Sequence, residues 1–344
     1  MKHRKSSLGR RDLLKAAALA SLGASTRVGL AGLSLMSANI VQAQSSGTKL
    51  VLLGTQGGPN FNTERGESAS AVVVDGETYL VDCGYGTLMA LRRAELNYRD
   101  IANVFLTHLH DDHSGDVAAL LSHQWSDGRV DPTTVFGPYG TDSMVDAALV
   151  FSAANTAIRL IDENRSVKPV DIFRGKVLKA SSLPIAAYSD ERVAVRSVEN
   201  THFPAESKQK MPYRSLSYRI DSRDRSIAFS GDTAYSEGVV ALARGADVLV
   251  CEAMDVVTMR RAFEQMVANG TYADNAEGVW AHIVGTHTST EDAGRMAAEA
   301  GVRTLVLNHL IPGALIDVDD NTYLEGVRRH FDAEVVVGRD QMVL

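Results

Sequence analysis

The sequence predicts an α+β fold in which two β-sheets are covered by helices. Short β-rich runs ending in Gly, Asp or His recur in both halves of the chain, with helical patterns between them. Runs of two or three strands alternate with helices, which excludes a purely parallel α/β chain and an all-β one. No Pro- or Ser-rich linker and no short-period repeat divides residues 44–344, so they read as one domain.

In the first half, strands are expected at 49–53, 71–74, 78–81, 103–107 and 134–136. In the second half they are expected at 193–198, 216–220, 226–229, 247–250, 304–307 and 334–337. Helices are expected at 87–96, 116–122, 141–161, 237–243, 256–267, 291–300 and 322–331. The helix at 291 follows Ser289-Thr290, a capping signal. Within 256–267, Met259, Phe263 and Met266 lie four and three apart, an apolar stripe that fits a core face better than a lid.

Residues 1–43 read as an export signal. They open on a basic stretch, continue through two apolar stretches each shorter than the ~20 residues of a membrane span, and end on Val41-Gln42-Ala43. Gly9-Arg10-Arg11-Asp12-Leu13-Leu14-Lys15 resembles the twin-arginine signal, which implies export of the folded protein to the periplasm or medium, with no stable membrane anchor.

The segment holds seven basic residues and one acid. The formal charge of −7 for all 344 residues therefore becomes −13 for residues 44–344. That balance argues against a nucleic-acid partner, because phosphate neutralisation needs basic surface. Cys83 and Cys251 lie in strand-like runs and read as free, buried thiols.

The most specific signal is Thr107–Gly115, THLHDDHSG, directly after a strand. In an extended segment residues i and i+2 point the same way, so His108 and His110 can share one metal. The turn into the next helix lets Asp112 and His113 face a second. Nitrogen and carboxylate donors suit zinc, with Mn2+ and Fe2+ also compatible.

HxHxDH resembles the signature of the metallo-β-lactamase superfamily. The resemblance covers about residue 49 to the C-terminus and implies an αββα sandwich with two mixed sheets and two metals at their edge. It further implies His202 as the third donor to the first metal, Asp232 (in Phe229-Ser230-Gly231-Asp232-Thr233) as a bridge, and His309 as the last donor. Asp82 matches the family's structural aspartate, which buttresses the metal loop without binding metal.

His287, in Gly285-Thr286-His287-Thr288-Ser289, is similar to the extra histidine of the ribonuclease Z, phosphodiesterase and arylsulfatase-like branch. There it would assist the leaving group, oriented by Glu252. Gly137-Pro138-Tyr139-Gly140 matches a turn of the same branch. His123, His282 and His330 lack such context and read as surface or core residues, and Arg214, Arg260 and Arg261 as solvated charges.

Five His and two Asp around two divalent ions and a bridging hydroxide leave a formal +1, which suits an ester whose transition state gathers negative charge. The expected function is an exported dinuclear zinc hydrolase of small anionic esters, aryl or alkyl sulfates or phosphodiesters, with Asp112, His287 and Glu252 serving the chemistry. The alternatives are a hydrolase of neutral lactones, carboxyl esters or xenobiotics, and a metal-binding protein without catalysis. Acidic charge, export and the absence of a basic, Gly-rich arm argue against transfer-RNA processing. A homodimer stays open.

Overall fold

A computed structural model describes residues 47–60, 62–316 and 318–344. The twin-arginine pair, the apolar stretches and Val41-Gln42-Ala43 lie outside the described residues.

The first sheet holds six strands in chain order: β1 (Lys49–Gly54), β2 (Ala69–Val74), β3 (Glu77–Val81), β4 (Asn103–Phe105), β5 (Thr133–Gly137) and β6 (Phe173–Val177). The second holds β7 (Ile185–Ser189), β8 (Ala194–Glu199), β9 (Leu216–Asp221), β10 (Ser226–Phe229), β11 (Val248–Met254), β12 (Thr304–Ile311) and β13 (Glu334–Val337). Its order is β13-β12-β11-β10-β9-β8-β7. Both sheets begin as antiparallel ladders and turn parallel, the first from β3 onward and the second from β10 onward. These are the two mixed sheets expected.

Helices cover both outer faces. The first half supplies α1 (Thr87–Arg93), α2 (Asp111–Ser114), α3 (Val117–Ser126), α4 (Thr141–Phe151), α5 (Ala153–Asp162) and α6 (Pro169–Ile172). The second supplies α7 (Ala205–Lys210), α8 (Glu237–Ala243), α9 (Val256–Ala268), α10 (Ala276–Thr286), α11 (Thr290–Ala300) and α12 (Asp320–Arg328).

Alternation along β1 shows how the layers form. Leu50 and Leu52 enter the core between the sheets, while Val51 and Leu53 enter the core under α1 and α3. A strand covered on both faces reads as a continuous apolar run, as KLVLLG does. A third core lies between the second sheet and α8, α11 and α12. Cys83 and Cys251 are free and buried in the two outer cores, as expected. The Tyr218 hydroxyl donates to Leu106 O at 2.7 Å and ties β9 to the end of β4, beside the metal motif.

The departures from expectation have physical causes. β6 and β7 each lie at one edge of a sheet, half exposed, and β6 carries Arg174, Gly175 and Lys176, which break an apolar pattern. The helix expected over 141–161 divides into α4 and α5, which meet at 53°. At the break the Ser152 hydroxyl donates to Ala148 O at 3.1 Å, a back-bond that bends helices. α10 escapes notice because Gly278 and Gly285 depress its helix propensity. Among the described residues no single helix is long and apolar enough to cross a membrane.

Candidate metal centre

The donors gather at one edge of the two sheets, past β4, β8 and β10 and on β12. His108 and His110 follow β4, and Asp112 and His113 begin the short α2. His202 follows β8, Asp232 follows β10, and His309 lies on β12. All seven residues expected from the sequence therefore meet at one edge, in two groups: His108, His110 and His202, and Asp112, His113, Asp232 and His309.

In the first group, His110 Nδ1 lies 3.0 Å from His108 Nε2 and 3.3 Å from His202 Nε2. Donors on a tetrahedron with bonds of ~2.0–2.1 Å stand about 3.3 Å apart, so these rings are spaced as zinc ligands would be. In the second group, His309 Nε2 lies 3.1 Å from Asp112 Oδ2 and 3.2 Å from Asp232 Oδ1. His113 Nε2 lies 3.1 Å from Asp232 Oδ1. Asp232 Oδ2 reaches toward the first group, 3.8 Å from His108 Nε2, which is the position of a bridge.

The donor set fits a pair of divalent ions. His113 Nε2 and Asp232 Oδ1 are buried without a hydrogen-bond partner although so close together. Two such atoms converging in a buried site are what metal coordination would satisfy. Burial drives the His202 pKa down to about 3 and holds that of His108 well below its ordinary value, so both rings are neutral, the form that binds metal.

The far side of three of the rings is fixed. His113 Nδ1 bonds Asp82 Oδ2 at 2.9 Å, His202 Nδ1 bonds Thr286 O at 3.1 Å, and His108 Nδ1 lies 3.1 Å from Thr107 Oγ1. Such partners set tautomer and aim. Asp82 thus occupies the buttressing place expected of it. Its φ of 60°, in the left-handed region, turns its carboxylate back to accept from Thr107 N at 2.7 Å.

Glu252, on β11, spends both oxygens: one accepts from Thr233 N, the other from His287 Nδ1 at 2.8 Å. Burial disfavours charge on His287, but Glu252 and then Asp232 outweigh it and raise its pKa to about 9. His287 ends α10, and two residues on Ser289 caps α11 by accepting from Asp292 N at 3.1 Å. The capping and the site placement hold together.

A cavity of about 260 Å3 opens on the centre, lined by His110, Asp112, Asp232 and His287 and walled by Met259, Met266, Val279 and Ile283 of α9 and α10. The apolar stripe of α9 is therefore both core and wall. Met259 and Phe263 are buried with Met254 and Ile311, while Met266 faces the cavity. Arg260 stacks over Trp280 and pairs with Glu264, a surface arrangement as expected.

Two contributors are not evident from the sequence. His282 of α10, expected on the surface or in the core, stands at the cavity mouth with its ring 5.8 Å from His202 and 6.0 Å from His287. It lies one helical turn before Thr286, a spacing that means nothing until α10 is known. Gly58, after β1, donates its N–H to Asp112 Oδ2 at 3.0 Å.

Fold and site together define a metal-dependent hydrolase of the αββα class. A family model described as the beta-lactamase superfamily domain matches residues 77–310, and the chain belongs to that superfamily. Ribonuclease Z of Methanosarcina mazei is 28% identical over 321 residues, covering 86% of this chain and 97% of that protein. Ribonuclease Z of Mycobacterium sp. (strain KMS) is 28% identical over 266 residues, covering 77% and 84%. Among solved structures, a metallo-beta-lactamase fold protein from Bacillus subtilis superposes with a TM-score of 0.60 at 18% identity, over 86% of this chain and 98% of that one. The short form of human tRNase Z superposes with a TM-score of 0.58 at 21% identity, over the same shares.

These relatives correct the expected function. Hydrolysis of small anionic esters, its neutral-substrate and non-catalytic alternatives, and the exclusion of nucleic acid all give way to a chain whose relatives, over most of both lengths, are ribonucleases Z. The error was to read a local property from a whole-chain charge. A charge summed over the chain does not fix the sign at the site and its rim, which is what a phosphate meets.

Proposed function

We propose that the chain is a dinuclear metal-dependent phosphodiesterase of the ribonuclease Z type, cleaving RNA. The likeness to ribonucleases Z over nearly their whole length carries the reading, and the complete donor set supports it. In this reading His108, His110 and His202 would hold one ion, and Asp112, His113, His309 and Asp232 the other, with Asp232 nearest the first group. Zinc suits these donors best. Two such ions would supply Lewis acidity at the phosphoryl oxygens and a more acidic water.

The remaining work belongs to the chain. Glu252 holds Nδ1 of His287 and leaves Nε2 for the cavity, where the protonated ring donates to the departing oxygen. The wall of α9 and α10 keeps water from that side. We also propose, on Arg10-Arg11 and Val41-Gln42-Ala43, that residues 1–43 direct export to the periplasm or medium.

The test is incubation of metal-loaded protein with a labelled transfer-RNA precursor. Discrete cleavage that a chelator abolishes is expected. RNA left intact under conditions in which bis-nitrophenyl phosphate is hydrolysed overturns the reading.

A further inference from the structure

A second cavity of about 810 Å3 adjoins the metal centre, lined by the turn after β5, by α7 and the segment ahead of β9, and by His282 of α10. His110 and His282 line both cavities, so the larger one is continuous with the donor cluster. Its walls carry Tyr139, in the turn after β5, and Tyr213, ahead of β9. The two rings meet edge to face at 5.9 Å, and the residues are 54% and 45% exposed. Gly140 makes this pairing fit: its φ is +99°, and a Cβ there would sit 3.0 Å from Tyr213 Cε1.

Two large aromatic side chains held in water beside a phosphodiester site offer π-faces for stacking, and every base has a face to stack. Lys208 and Arg214 lie 2.7 and 3.6 Å from Glu199, α7 carries Glu206 as well as Lys210, and Asp142 adjoins Ser143 of the wall, so the local charge is balanced. A base-bearing strand is therefore the occupant that the aromatic faces favour.

We propose that Tyr139 and Tyr213 form a stacking platform for unpaired bases of the RNA strand next to the scissile phosphate. This rests on the RNA-cleaving reading above.

Y139A/Y213A is compared with wild type on an RNA carrying a single-stranded tail, and on the same RNA with abasic tail nucleotides. Stacking is worth ~1–3 kcal/mol per base, so KM should rise roughly 10-fold or more while kcat at saturation changes far less. Y139F/Y213F should restore KM. On the abasic tail wild type and alanine variant should converge.

If wild type cuts RNA and the alanine variant keeps its KM within about twofold, the platform is overturned and the RNA reading stands. An equal loss on intact and abasic tails assigns the tyrosines to the fold alone and also overturns it. A wild-type protein that leaves every RNA intact overturns both.

Discussion

Gly58 and Asp82 hold the donors from opposite sides, and each acts through a single atom or pair of atoms. A Cβ on Gly58 would fall 2.3 Å from the Asp112 carboxylate, too close for any rotamer to relieve without moving Asp112. Gly58→Ala should therefore keep the fold but displace Asp112, costing about 10-fold or more in activity together with metal from the second group. Metal analysis alongside melting checks this, and full metal content would refute it. Asp82→Asn removes the negative partner of His113 Nδ1, and a loss of about 10–100-fold in metal affinity or activity is expected, read by titration with a competing chelator. The donors of HxHxDH were legible because four of them stand within six residues. Gly58 and His282 were not, because their neighbours in space are remote in sequence and neither sits in a pattern with a chemical reason of its own.

At the level of elements, the stretch from α10 to α11 joins the site to its support. Ser289 caps α11 two residues after His287, so Ser289→Ala should lower stability by about 1 kcal/mol. It should also slow turnover by loosening His287, as thermal melting and kcat together will show. A cap variant with unchanged melting and unchanged kcat would refute this role of Ser289. The strands buried on both faces could be read from the chain because their burial needs unbroken apolar runs. β6 and β7 could not, since most of their side chains are half-buried or exposed and Arg174, Gly175, Lys176 and Ser189 break the apolar run. The break between α4 and α5 was hidden for another reason: Ser152 is compatible with a helix and bends it only through its own hydroxyl.

Across the whole molecule, the first sheet and its α2 supply four of the donors and the second sheet supplies three. A strong chelator should strip the ions, leave buried carboxylates without their cations, and lower the melting temperature as well as activity. Restoring zinc should recover both, and melting unmoved by chelation would count against ions that span the sandwich. The export proposal belongs at this scale too. Cell fractionation with N-terminal sequencing should find a mature chain beginning at Gln44, and Arg10→Lys with Arg11→Lys should hold it in the cytosol. Uncleaved protein in the cytosol of the wild type would end that proposal. His309 and Asp112 stand 197 residues apart in the chain yet 3.1 Å apart in space. During synthesis, then, a ribosome must deliver a further 197 residues after Asp112 before the last donor exists. Fragments released early would carry the HxHxDH motif without the partners that complete the centre.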